Sequence, residues 1–291
     1  MDRLGGHLGS RGLGSGLSVS QRRRQAVHGL IVLTLFSGVA LWRHDLFAAS
    51  WRAMIVSLSA PGPARWRVLG QGIFLAAIFA ATLIAAVSSP RPARDALGAL
   101  AAAVAGWSAE AWGTRLGLWS YYTGERPPLW IVPAWPLGAL VIERAGRALR
   151  ERFGPAPDSL YAGPRAACLL CVLSFCAPRL GNVWAWAGPA AVAASLWLGA
   201  SPAEEGWTLA AGLVCVFFAD TWGTSMRCWS YYMGRAPRGW SVGVVFGMAF
   251  DTALVIGCLR LADACAAFTD FSLEFSRKER QNSVTNPRRE P

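Results

Sequence analysis

Eight apolar stretches, at about 26–42, 68–88, 96–119, 129–149, 163–178, 183–199, 207–229 and 240–262, constrain this chain more than any other feature. Lipid offers no hydrogen bonds, so a chain crossing a bilayer must satisfy its own backbone, as helices or as a closed barrel. A helix needs roughly 20 residues to cross. These runs therefore predict an all-α integral membrane protein with eight spans. Pro133, Pro136, Pro178 and Pro189 shorten or interrupt several runs and leave the count open by one or two. With 54% hydrophobic and 15% charged residues, a soluble globular domain is the poorer reading.

The formal charge of +11 does not form a basic stripe interleaved with aromatics, so nucleic acid is not the expected partner. The basic residues sit at the termini and in short loops, as positive-inside topology requires. With a cytoplasmic N-terminus, the inner side collects the N-terminal tail, Arg91, Arg94, Arg144, Arg147, Arg150, Arg152, Arg165 and the C-terminal tail. Arg43, Arg52, Arg65 and Arg67 fall outside and dilute the contrast. The expected location is the cell membrane. Six of the seven cysteines, including the pair in "CLLC", lie in or beside apolar runs and read as helix packing. His7, His28 and His44 are all remote from the motif described next, and no nucleotide, haem or iron–sulfur motif is present.

"EAWGTRLGLWSYYTGERP" begins at Glu110, and "DTWGTSMRCWSYYMGRAP" begins 110 residues later at Asp220. The shared pattern is an acid, one residue, Trp-Gly-Thr, four residues, Trp-Ser-Tyr-Tyr, one residue, Gly, two residues and Pro. Four of the five tyrosines in the chain fall inside it. A match of this length marks a tandem duplication. The expected organisation is a disordered basic tail at 1–25, a first span and interfacial segment at 26–67, and a first repeat half at 68–149. A connector with the fifth span follows at 150–178, then a second half at 179–262 and a polar C-terminal tail at 263–291. If the fifth run crosses the membrane, the halves are parallel and both motifs open outer loops; if it does not, the halves are inverted.

At about 100° per residue, a helix continued through the motif places Glu110, Gly113, Thr114, Gly117 and Tyr121 on one face, with Trp112, Leu116 and Trp119 opposite. The second copy places Asp220, Gly223, Thr224, Arg227 and Tyr231 against Trp222, Met226 and Trp229. A carboxyl within a span must be protonated, paired, or turned to a polar cavity. Arg227, two turns beyond Asp220, is a candidate charge partner; Gly117 fills the matching position beside Glu110, where Arg115 competes for the role. Thr114, Trp119, Tyr121, Tyr122, Thr224, Trp229, Tyr231 and Tyr232 form the candidate substrate-binding set. Aromatic-belt placement is the competing explanation for both "WSYY" tetrads. Asp251 is a further acid within the last run, for which a structural hydrogen bond is expected, and Glu143 and Arg144 are expected to pair at the inner surface.

Residues 110–140, "EAWGTRLGLWSYYTGERPPLWIVPAWPLGAL", resemble the membrane family of carotenoid hydratases of the bacterioruberin type, among the carotenoid biosynthesis proteins. Glu110, Gly113, Gly117, Tyr121, Tyr122, Val132, Pro133 and Trp135 lie on that family's pattern of an acid, two spaced glycines, a Tyr-rich stretch, then Val-Pro and Trp. The second copy departs from it, with Arg227 for the later Gly and Val242-Gly243 for Val-Pro. The resemblance implies protonation of an isoprenoid double bond and capture of the cation by water, with no metal or redox cofactor. It implies Glu110 as general acid and Asp220 as the group that orients or deprotonates the water. Trp112, Trp119, Tyr121, Tyr122, Trp222, Trp229, Tyr231 and Tyr232 would offer faces to the carbocation. Two other classes fit the same residues: a binder or transporter enclosing a lipid or small cation, and a structural membrane subunit.

Overall fold

The computed structural model describes residues 19–59, 62–233 and 242–285. Its helices are α1 (Val19–Trp42), α2 (His44–Ser59), α3 (Pro63–Val87), α4 (Pro92–Arg115), α5 (Ala134–Phe153), α6 (Ser159–Cys176), α7 (Ala187–Trp197), α8 (Pro202–Ser225) and α9 (Val242–Thr285). Two three-residue strands, β1 (Trp119–Tyr121) and β2 (Trp229–Tyr231), follow α4 and α8. The segment 1–18, most of the proposed N-terminal tail, lies outside the described residues. α1 begins within the rest of that tail, and α9 continues well past the apolar run that ends near 262.

Four helical segments are long and apolar enough to cross a membrane among the described residues: Val68–Val87, Ser159–Arg179, Pro202–Ser225 and Val242–Phe268. The other runs are altered for local reasons. The run at 183–199 divides into a 3₁₀ turn at Val183–Trp186 and the 11-residue α7, about 16 Å long. α5 starts only at Ala134 and carries Glu143, Arg144, Arg147, Arg150 and Arg152, and α4 contains Arg94, Asp95, Glu110 and Arg115.

α9 is the centre of the bundle, packing against α4, α5, α6, α7 and α8. α4 packs on α5 and α9, while α8 packs on α9 and α5, so the two motif-bearing helices sit on the same pair. Both open with proline in the first turn, Pro92 and Pro202, where its fixed φ and missing N–H cost nothing.

At the end of α4 remote from β1, an ion network is buried. Arg144 makes a forked contact to Asp95 at 2.9 and 2.6 Å and bonds Glu143 at 2.5 Å. Arg94 joins Glu143 at 3.2 Å and Asp263 at 2.8 Å. Glu143 and Arg144 thus pair as expected, but inside the protein, because Asp95 in the first turn of α4 draws the guanidinium inward. Glu205, 110 residues after Asp95 and in the first turn of α8, is held likewise by a forked contact from Arg260 at 2.8 and 2.5 Å.

Candidate functional site

The helix carrying each acid does not run on through its tryptophans. α4 stops at Arg115, and the chain reverses through a Schellman turn: the Leu118 N–H donates to Gly113 O at 2.9 Å and the Gly117 N–H to Thr114 O at 3.3 Å. Gly117 takes φ +66°, the left-handed conformation this turn demands. α8 ends in the same way, with Cys228 N–H on Gly223 O at 2.8 Å and Arg227 N–H on Thr224 O at 3.2 Å. Here the left-handed position is Arg227, φ +60°.

The reversal brings the "WSY" of each copy back over its own helix and against the other copy. β1 and β2 pair antiparallel, with Trp119 opposite Tyr231, Ser120 opposite Ser230 and Tyr121 opposite Trp229. The pairing continues with Tyr122 N–H to Cys228 O at 3.1 Å and Tyr232 N–H to Leu118 O at 3.0 Å. The register is symmetric about the two serines. Ring contacts cross the pair, Trp119 to Tyr231 at 6.4 Å and Tyr121 to Trp229 at 6.1 Å between centroids.

Each motif then closes on its own acid. Trp119 Nε1 and Tyr121 Oη donate to Glu110 Oε2 at 2.9 and 2.8 Å, and Trp135 Nε1 approaches Oε1 at 3.4 Å. Trp229 Nε1 donates to Asp220 Oδ1 at 3.2 Å and Tyr231 Oη to Oδ2 at 3.0 Å. The acid and its two aromatic donors are nine and eleven residues apart in both copies. The glycine three residues after each acid makes the fold-back possible: a Cβ on Gly113 would lie 1.9 Å from Trp119 Cη2, and one on Gly223 the same distance from Trp229 Cη2. Neither indole could lie over its helix beside any larger residue.

Alternation along the strands sorts the predicted binding residues. Trp119, Tyr121, Trp229 and Tyr231 line a cavity of about 650 Å³ together with Glu110 and Asp220. Tyr122 is 57% exposed, and Tyr232 turns outward to donate to Phe175 O at 2.7 Å. Thr114 and Thr224 donate to the backbone carbonyls of their own acids, Glu110 O at 2.5 Å and Asp220 O at 2.7 Å, so they brace the helix end and do not line the cavity. Trp112 also leaves the site, donating to Trp184 O at 2.7 Å.

The proposed charge partners are corrected. Arg115 and Arg227 are exposed, and among the described residues neither forms an ion pair with Glu110 or Asp220. Arg227 lies beyond the end of α8, in the reversal, and no longer follows the helical spacing that placed it over Asp220. The acids find indole and phenol donors instead.

Asp251 of α9 lines the same cavity, within electrostatic reach of Glu110 and Asp220. No described residue donates a hydrogen bond to it, so the structural hydrogen bond expected for it is not formed. The residue 110 positions earlier, Val141, also lines the cavity. The available sequence signal for Asp251 was therefore an acid replacing an apolar residue between the two halves. Trp135 was reached only through the family resemblance; its indole fits over Gly106 of α4, where a Cβ would lie 2.2 Å from Trp135 Cγ.

The remaining walls are apolar side chains of α3, α5, α8 and α9. Phe74 of α3 and Phe218 of α8 line the cavity and are 43% and 49% exposed, so it reaches the flank of the bundle between two helices able to span a membrane. Among the described residues no three His, Cys, Asp or Glu side chains are grouped to chelate one metal ion. Comparison with protein-family models, curated proteins and solved structures found no match.

Proposed function

We propose that this chain is a membrane enzyme that uses acid–base chemistry on an isoprenoid or carotenoid-like lipid, adding water across a double bond. The observation that carries the reading is the convergence of Glu110, Asp220 and Asp251 on one apolar cavity walled by Trp119, Tyr121, Trp135, Trp229 and Tyr231. An apolar pocket with a few convergent polar groups suits a hydrophobic substrate whose reacting atoms must be placed against them. Its reach to the flank between α3 and α8 suits a substrate delivered from the bilayer.

Hydration needs one carboxyl to protonate an alkene carbon, the π electrons forming the new C–H bond. Water then forms the C–O bond at the electron-poor carbon and releases its surplus proton to a second carboxylate. Returning that proton to the first acid completes the cycle. Aromatic faces stabilise the intermediate cation by the attraction that cation–π pairs use. The likeness of residues 110–140 to carotenoid hydratases favours the same chemistry.

The wider arrangement belongs to the proposal: eight spans or nearly so, two parallel halves, and an N-terminus on the cytoplasmic side of the cell membrane. Pairing of β1 with β2 supports parallel halves, since it holds the ends of α4 and α8 together.

The test is mass spectrometry of lipid and pigment extracts from cells with wild type, Glu110→Gln or no gene. A product heavier than its precursor by one water, made with wild type and lost in Glu110→Gln at equal protein abundance, is expected. No difference with the precursor present would refute hydration. A second reading, binding or transport of a lipid or small cation, draws on one observation: three carboxyls and no basic side chain line the cavity. It predicts substrate movement without a change of mass.

A further inference from the structure

The three carboxyls have unequal surroundings. Glu110 receives Trp119 and Tyr121 on one oxygen and is approached by Trp135 on the other, while Asp220 receives one donor on each oxygen. Indole N–H can only donate, and an ionised carboxylate can only accept. Each motif therefore builds a receptor for an accepting carboxylate, and each receptor is made of rings locked by their own packing. Trp119 lies over Gly113, Trp229 lies over Gly223, and Tyr231 fills the space beside Gly243 and Gly247.

Asp251 has none of this. It sits in a helix of the core and is partly exposed, and it lines the cavity. No described donor meets its oxygens, and no basic side chain lines the cavity beside it. Tyr121 and Tyr231 are within its electrostatic reach, but their hydroxyls are committed to Glu110 and Asp220. A carboxyl left without donors in an apolar cavity keeps its own proton as the only means of lowering its charge.

We propose that Asp251 is the carboxyl that carries and delivers the exchangeable proton of this cavity, and that Glu110 and Asp220 are held as acceptors. The assignment rests on reading the cavity as a proton-transfer site, and it moves the acid role away from Glu110. In the hydration cycle, the Asp251 proton goes to the alkene carbon. Asp220 or Glu110 takes the proton released by the attacking water, and that proton passes back to Asp251.

The test uses the purified full-length protein and dicyclohexylcarbodiimide, an apolar reagent that reacts with a protonated carboxyl. The acid proton goes to a carbodiimide nitrogen while the carboxyl oxygen bonds the central carbon, and the adduct rearranges to a stable acylurea. Peptide mapping by mass spectrometry should find at least about tenfold more adduct on Asp251 than on Glu110 or Asp220, and Asp251→Asn should remove most of the label from the cavity. Equal or greater label on Glu110 or Asp220, label that persists at the cavity in Asp251→Asn, or no adduct on any of the three overturns the assignment. The labelling requires no turnover, so label on Asp251 with no hydrated lipid in the cell extracts would refute hydration alone. Hydrated lipid with the label on Glu110 would refute the Asp251 assignment alone.

Discussion

Replacing Arg227 with glycine should stabilise the protein. Arg227 holds φ +60° at the reversal after α8, where the equivalent residue after α4 is Gly117 at φ +66°. A left-handed residue bearing a Cβ costs about 1–2 kcal/mol. Glycine gives back about 0.4–1 kcal/mol through the greater freedom of the unfolded chain, so the net gain is about 1 kcal/mol. No compensating ion pair with Asp220 is lost. The converse change, Gly117→Ala, should cost about the same, because the added Cβ would meet nothing closer than Arg179 Nη2 at 3.9 Å and the penalty is conformational alone. Thermal unfolding in detergent micelles, followed by tryptophan fluorescence, should show Arg227→Gly raising the midpoint by about 2 °C and Gly117→Ala lowering it comparably. If Arg227 instead holds Asp220 as a charge partner, Arg227→Gly must lower the midpoint. That result would refute the capping account and restore the ion pair.

Gly223→Ala should destabilise by about 1–3 kcal/mol, with an emission shift as the Trp229 indole is driven from its helix, because the new methyl lies 1.9 Å from Trp229 Cη2. Tyr121→Phe removes one donor from Glu110 and should cost about 1–2 kcal/mol in the same unfolding assay while lowering the yield of hydrated lipid; unchanged stability and yield would show that this hydrogen bond has no role. Arg144→Met leaves Asp95 and Glu143 buried without their shared partner and should cost about 3–5 kcal/mol, visible as reduced recovery of folded protein from membranes.

The apolar runs, the duplicated motif and its two acids were legible because they depend on local composition and spacing. The helical wheel through the motif failed because it assumed that α4 and α8 continue past Arg115 and Ser225. Gly117 was a visible stop signal, but its counterpart is Arg227, a residue that carries no such signal. Trp119 was consequently placed opposite Glu110, whereas the reversal returns it to hydrogen-bonding distance. The β pairing joins residues 110 or more positions apart, and nothing in a three-residue "WSY" announces a strand until its partner copy lies beside it. Asp251 was visible as an intramembrane acid, but its lack of donors is a property of the assembled cavity.

The symmetric register about Ser120 and Ser230 has a bearing on ancestry. Two identical chains meeting across a two-fold axis would pair their strands in this same way, residue i against j and j against i. A half-length forebear carrying one motif could thus have closed its acid box only by finding a second molecule. Fusing the two genes would have made that encounter intramolecular and freed one copy to change without the other, as the Asp251 and Val141 positions have done.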